Sequence, residues 1–506
     1  MKAYLMYRDA DFDLHAAVPS QAESLVQDLN LNTLVAAMAA GDAFLFDVAR
    51  EALLTSCHDV ESITFRQDVL RDAFAQESVV REIYDLAVEA LAREKKIYSW
   101  AFTSPDSILR RSVEVLEMFV SLLRRLRRIA GEHRDAFHSA GFTRFFSMLE
   151  EELSDDYFEE IETHLKTLTF RNGVLLSSGL GQGNKAKAYV LRLPLNPNPS
   201  WLQRLRMLTH SPLTLTIADR DEAGHDALRE LRGRGINLAA DALAKSTDHI
   251  LSFFSMLRCD LAFYIGCLNL NQRLTSLGEP LCFPVPLPAE AGPFTLNCDE
   301  LYDVCLALYA GAHAVGNDIT ADSTPLVVIT GANQGGKSTF LRSVGLAQLM
   351  LQCGMVVPAA RFTASVRSGI FTHFKREEDA GMESGKLDEE LSRMSDIAGA
   401  VSADGLVLFN ESFASTSARE GSEIATNIVH ALVNSGVAVF FVTHLYDFAH
   451  ALFTEDENAS LFLRADRESD RRRTFKLVKG EPLPTSFGQD VYQRIFAAAP
   501  GIDVAN

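Results

Sequence analysis

The sequence has few of the residues that would make it a disulfide scaffold, a metal finger or a membrane protein. Its seven cysteines are scattered and form no C-x-x-C pair, which argues against a disulfide framework or a zinc ribbon and favours a reducing, cytoplasmic setting. No apolar run reaches the roughly 18 residues a membrane helix needs. The longest candidate, Leu346 to Ala360, is interrupted by Gln348, Gln352 and Gly354. A secretory leader is not expected either, because Asp9 and Asp11 arrive too early. Positive charge is in deficit. Against 67 Asp and Glu stand 48 Lys and Arg, a net charge of −19, so any polyanion must be held by a local patch.

What remains is ordinary globular material. A chain of 506 residues, 47% apolar and 23% charged, has room for two to four domains. Over residues 1–165 Pro and Gly are scarce, and apolar residues recur at three and four positions through Leu31–Leu54, Val79–Leu91 and Val113–Ile129. This predicts an almost continuous helical block. Its histidines (His15, His58, His133, His138) lack partners at ligand spacing and read as surface or capping residues.

Near Phe170 the pattern changes. Val174–Leu176 and Tyr189–Leu193 flank a turn containing Gly179, Gly181 and Gly183, which predicts a β-hairpin. A Pro/Asn stretch and a strand over Leu213–Ile217 should follow, then helices over Glu222–Gly233 and about Leu238–Leu277. This insert is the basic part of an acidic chain, with Lys185, Lys187, Arg192, Arg204 and Arg206 among its cations. Either it contacts a phosphate backbone, where Lys and Arg displace counterions, or it is a solvated face. A second cluster, from Arg110 to Arg134, is interleaved with Leu122, Leu123 and Leu126 and reads as an exposed helix face paired with acids. The Pro-rich stretch 278–300 precedes a switch to alternating strands and helices.

That last region carries the chemistry. The apolar strand Leu326–Ile329 runs into Gly331-Ala332-Asn333-Gln334-Gly335-Gly336-Lys337-Ser338-Thr339, a G-x-x-x-x-G-K-[ST] loop followed by helix. Such a loop turns backbone N–H groups toward phosphates at the positive end of a helix. Lys337 then faces the β- and γ-phosphates, and the Ser338 hydroxyl is a ligand for Mg²⁺. A second strand, Leu406–Phe409, ends in Asn410-Glu411. There an acidic residue usually holds Mg²⁺ and a following Glu polarises the attacking water. Asn410 offers an oxygen without charge, so slower hydrolysis is expected. A third strand, Val437–Val442, ends in Thr443-His444, where a polar sensor of the γ-phosphate belongs. The expected cofactors are ATP and Mg²⁺, with Lys337, Glu411 and His444 as catalytic residues and Ser338, Asn410 and Glu411 at the metal. His313 or Asn317 is a candidate for approaching the base, with a plain loop role equally open.

The run TGANQGGKSTFLRSVGLAQLMLQCGMVVPA (330–359) resembles the ATPase domain of the MutS family. The similarity continues through Ser384 with Glu389 and Glu390 after it, NESFASTSAREG (410–421), Thr443-His444 and Ser486-Phe487-Gly488. It extends more weakly to DVESITFRQDVLRDAF (59–74), which looks like the helical core of that family. The resemblance implies a dimer with composite sites, in which Ser384 reaches the nucleotide of the opposite subunit and Ser415-Thr416-Ser417 forms a loop beside the site. It also implies a multidomain, mainly α-helical fold: a helical core (1–165), a small β-containing clamp-like insert (166–235), a returning lever helix with linker (236–290) and an α/β P-loop ATPase domain of the ABC/MutS type (291–506).

The departures shape the functional expectation. The chain opens directly in core-like helices, so a member lacking the mismatch-reading and connector domains is expected, and Phe158-Glu159-Glu160 is read as a coincidental match to a Phe-x-Glu wedge. The first expectation is a DNA-binding ATPase that moves clamp and levers on DNA without reading mismatches, probed by salt-sensitive DNA binding. The alternative is a nucleotide-switched module that grips a protein partner, supported by the acidic balance and Asn410.

Overall fold

The computed structural model describes residues 1–97, 104–171, 173–192, 215–289, 294–332, 334–376, 385–455, 460–467 and 473–484. Among these, the helices are α1 (Ala22–Asp28), α2 (Leu31–Ala39), α3 (Ala43–Leu54), α4 (Val60–Ala75), α5 (Glu77–Lys96), α6 (Pro105–His133), α7 (Ala140–Glu152), α8 (Asp155–Leu168), α9 (Glu222–Ser276), α10 (Val304–Ala310), α11 (Lys337–Gln352), α12 (Lys386–Ala400), α13 (Ala418–Asn434) and α14 (Tyr446–Glu455). The strands are β1 (Leu175–Leu180), β2 (Ala186–Arg192), β3 (Val285–Leu287), β4 (Thr295–Leu301), β5 (Asn317–Asp322), β6 (Leu326–Thr330), β7 (Arg361–Ser365), β8 (Ile370–Phe374), β9 (Leu406–Asn410), β10 (Ala438–Val442), β11 (Ser460–Arg467) and β12 (Arg473–Lys479). The chain forms two compact units, one of residues 1–3, 78–137 and 142–258, the other of 4–77, 138–141 and 259–506.

The first unit is built on α6. Ser104 caps it by accepting from the Ser107 N–H, and Pro105 sits in its first turn, where a missing N–H costs nothing. Leu109, Val113, Leu116, Val120, Leu123 and Ala130 share its buried face. The arginines lie opposite, as the spacing predicts, and they are paired: Arg124 with Glu162 at 2.8 Å, Arg125 with Glu89 at 2.8 Å, Arg127 with Asp155 at 2.5 Å. Exposed pairs of this kind contribute about 0–1 kcal/mol each.

β1 and β2 form the expected antiparallel hairpin. The helix after it corrects two expectations. No strand precedes it over Leu215–Ile217, while 213–214 lie outside the described residues. The predicted break at Gly233–Leu238 is also absent, since α9 runs unbroken for 55 residues. Its glycines serve packing instead of termination: a Cβ on Gly235 would lie 2.2 Å from Leu176 of the hairpin. Ile236 and Ala240 join Leu109 in a small core against which Val174 and Leu191 pack.

In the second unit, residues 4–21 contain no helix, contrary to the helical reading of the N-terminal block. Their backbone is held by side chains from elsewhere. The Leu5 N–H donates to Asp260 (2.8 Å), Tyr264 donates to the Leu5 carbonyl (2.5 Å), and the buried Arg66 donates to the Met6 carbonyl (2.8 Å). One stretch of α9 is apolar enough to cross a membrane by composition, with mean hydropathy 1.5, but 72% of it is buried within the molecule.

The main sheet of this unit has six strands in the order β12-β11-β6-β10-β9-β8, parallel except for β12 at its edge. Strands covered on both faces read as unbroken apolar runs, which is why Leu326–Ile329 and Val439–Val442 were legible. Phe409 of β9 stacks on Phe441 of β10 at 4.8 Å, the spacing their backbone ladder imposes, and Phe448 of α14 joins at 4.8 Å. A second sheet, β3-β7-β4-β5, completes the unit.

Candidate active site

Ligands of parallel α/β sheets gather at the carboxyl ends of the strands, and the sequence-derived residues gather there too. β6 ends at Thr330 and α11 begins at Lys337, leaving the loop between them. Gly331 (φ 112°) and Gly336 (φ 91°) hold conformations that other residues avoid. A Cβ on Gly331 would lie 2.9 Å from the Ala465 backbone nitrogen.

Lys337 folds back over this loop. Its Nζ donates to the carbonyls of Gly331 and Ala332, both at 2.9 Å. Burial pushes its ammonium down to about 8, with the nearby Glu411 carboxylate opposing that shift. The next residue crosses the sheet. β9 lies two strand spacings from β6, about 10 Å, yet the Ser338 hydroxyl donates to the Asn410 side-chain oxygen at 2.8 Å. Two neutral oxygens are thus adjacent, with the Glu411 carboxylate next in sequence. An all-oxygen set of this kind fits Mg²⁺.

Glu411 accepts a hydrogen bond from His444 Nε2 at 2.9 Å. That hydrogen bond holds its carboxyl below the usual carboxylate range, against the opposing effect of burial. A carboxylate so held is a weak proton acceptor, better suited to orienting a water by charge than to taking its proton. Thr443 is buried and its hydroxyl accepts from the Leu445 N–H at 2.9 Å, and with His444 and Gly331 it lines a small cavity at the strand ends.

Beside the loop is a cavity of about 440 Å³ lined by His313, Asn317, Gln334, Gly336, Thr339 and Phe475 among others. Asn317 is occupied structurally: it donates to the Phe475 carbonyl (3.2 Å) and accepts from the Leu477 N–H (2.7 Å). His313 pairs with Glu279 at 3.1 Å, its side chain largely exposed at the cavity wall.

Of the other expected residues, Asn333, Ser384, Arg204, Arg206 and 486–488 lie outside the described residues. Lys185, Lys187 and Arg192 are exposed on the hairpin, Arg192 donating to Ser177 at 2.8 Å. The sequence reading missed two neighbours of the site. Arg473 of β12 donates to Gln334 in the loop at 2.7 Å, and His373 of β8 hydrogen-bonds Ser412 at 2.7 Å. The one signal for His373 was a polar residue inside a strand that is otherwise buried.

Two family models match the chain, the MutS2 N-terminal domain over residues 58–277 and MutS domain V over residues 327–505. Domain V is the ATPase domain of its family, and the loop, Asn410, Glu411 and His444 all fall within its match. The chain belongs to the MutS family. Among curated proteins it is similar to the probable DNA mismatch repair protein Msh6 of Drosophila melanogaster, 37% identical over 199 residues. That match covers 37% of this chain and 16% of the relative.

Proposed function

We propose that the chain is a DNA-binding ATPase of MutS type, in which nucleotide binding and hydrolysis at a dimer interface drive motion of helical levers and a clamp on DNA. The observation that carries the ATPase reading is the convergence of Lys337, Ser338–Asn410 and Glu411–His444 at the carboxyl ends of β6, β9 and β10. On ATP entry, Lys337 exchanges the Gly331 and Ala332 carbonyls for phosphate oxygens. Ser338 and Asn410 would hold Mg²⁺, which when bound neutralises charge on the phosphates. Glu411, held by His444, orients the attacking water. The cavity beside the loop is the place for the base, with His313 at its wall.

The family supports DNA as partner and dimerisation as the working state, with Ser384 reaching across it. Mismatch reading is not part of the proposal. Phe158 of the Phe158-Glu159-Glu160 stretch is buried in α8 with the Arg124 guanidinium 4.6 Å above its ring. It is not free to wedge into a duplex. The test is ATPase activity of the purified protein across duplex, branched and single-stranded DNA. Turnover raised by one of them is the expected result, and no DNA binding at low salt with or without ATP would sink the DNA reading. A nuclease-insensitive protein partner in its place would favour the nucleotide-switched module, to which the net charge of −19 lends weight.

A further inference from the structure

Glu411 begins a strained turn. It has φ 56° and Phe413, two residues on, has φ 61°, both in the left-handed region that side chains disfavour. Non-glycine residues persist there when their surroundings fix them, and here the fixing groups are visible. Glu390 of α12 is buried and aims its carboxylate at this turn. Its Oε2 accepts the Phe413 N–H at 3.0 Å and its Oε1 accepts the Ser415 hydroxyl at 3.1 Å. The His373 ring bridges the same two elements, meeting Ser412 Oγ at 2.7 Å on one side and the Glu390 carbonyl at 2.9 Å on the other. The Ser412 hydroxyl also lies 2.6 Å from the His373 carbonyl, so its single proton serves either that oxygen or the ring nitrogen. From the opposite side, Gly421 of α13 lets the Phe413 carbonyl approach so closely that a Cβ would lie 2.4 Å from it.

We infer that Glu390 is a positioning residue for hydrolysis: its carboxylate clamps the turn after Glu411, and so fixes where the Glu411 carboxylate stands relative to the phosphate loop. The inference rests on the ATPase reading above. A buried carboxylate aimed at one turn with two convergent acceptor bonds is more than packing requires. Its hydrogen-bonding capacity is spent on the backbone N–H and the hydroxyl that define the turn. Nothing in the clamp touches Lys337 or the base cavity, so ATP binding and turnover should separate.

The experiment measures ATP binding, kcat and KM for the full chain, with hydrogen–deuterium exchange over 411–417 without nucleotide. Wild type and Glu411→Gln come first. Turnover in the former and its loss in the latter establish the reaction, whereas a wild type that binds ATP without hydrolysing it would defeat the ATPase reading itself. With turnover established, Glu390→Ala should raise exchange over 411–417 and lower kcat about tenfold or more, with ATP affinity and KM within about twofold. Glu390→Gln, which can still accept from the Phe413 N–H, should recover most of kcat. If Glu390→Ala does not fold, Ser415→Ala and Gly421→Ala decide. The first removes one bond of the clamp and the second pushes on the Phe413 carbonyl, and each should lower kcat about threefold or more at constant KM. Faster exchange with unchanged kcat in the folded variants would make the clamp merely structural and overturn the inference, as would a proportional fall in ATP affinity.

Discussion

Lys337 shows how burial and charge oppose each other at a single residue. Burial favours its neutral form, bringing the ammonium down to about 8. Phosphate oxygens favour the charged form, so the bound lysine titrates higher. ATP affinity should therefore be greatest below pH 8 and fall as the pH rises through it. Calorimetry near pH 8 in buffers of different ionisation enthalpy should show uptake of about half a proton on binding; pH-independent affinity between 7 and 9 would contradict it. Lys337→Ala should lose ATP binding or turnover altogether. Glu411→Gln should keep ATP while kcat falls about 100-fold or more, because the amide cannot supply the charge that orients water. Asn410→Asp adds the missing charge beside Ser338 and should tighten Mg²⁺ severalfold, read as the Mg²⁺ concentration for half-maximal turnover.

At the scale of elements, the long helix α9 was only partly legible. Glycines at 233 and 235 look like a break when the chain is read for local propensity, since each costs a helix about 1 kcal/mol relative to Ala. The tertiary structure has another use for Gly235, close approach to Leu176 of the hairpin, while Gly233 lies against Pro105. Gly235→Val should thus destabilise the first unit by about 1–3 kcal/mol, through crowding of Leu176. Faster amide exchange in β1 and β2 would show it, and an unchanged hairpin would mean that Leu176 has room to move. The apolar strands β6, β9 and β10 were read correctly because burial on both faces leaves no polar alternation to confuse them.

For the whole molecule, acidity and acid sensitivity follow from particular groups. His373 is fully buried, and desolvation pushes its imidazole down to about 4 from an ordinary 6.5. Between those values the unfolded chain binds more protons than the folded one, so this contribution to stability is complete above about pH 6.5 and is lost as the pH falls toward 4. The loss is about 3 kcal/mol at most. Urea unfolding at pH 7 and pH 5, with His373→Gln removing the difference, is the check. DNA binding, if it runs through the hairpin, should weaken steeply with salt, and charge reversal at Lys185, Lys187 and Arg192 together should flatten that slope by about 3. An unchanged slope would move the contact surface elsewhere.

The sequence by itself determined the phosphate loop, the acidic strand end and the Thr443-His444 pair, because each is a short motif whose chemistry depends on neighbours in the chain. It also determined that the arginines from Arg110 to Arg128 lie along a helix face, since helical spacing is local, whereas Arg134 falls just past the end of α6. What only the tertiary structure decided depends on residues far apart: Ser338 meeting Asn410 across an intervening strand, Glu390 and His373 gripping the turn after Glu411, and glycines serving contact in an unbroken helix. The physical reason is the same in each case. Hydrogen bonds and close packing are set by distance in space, and only the folded sheet brings α12, β8 and β9 within reach of one another.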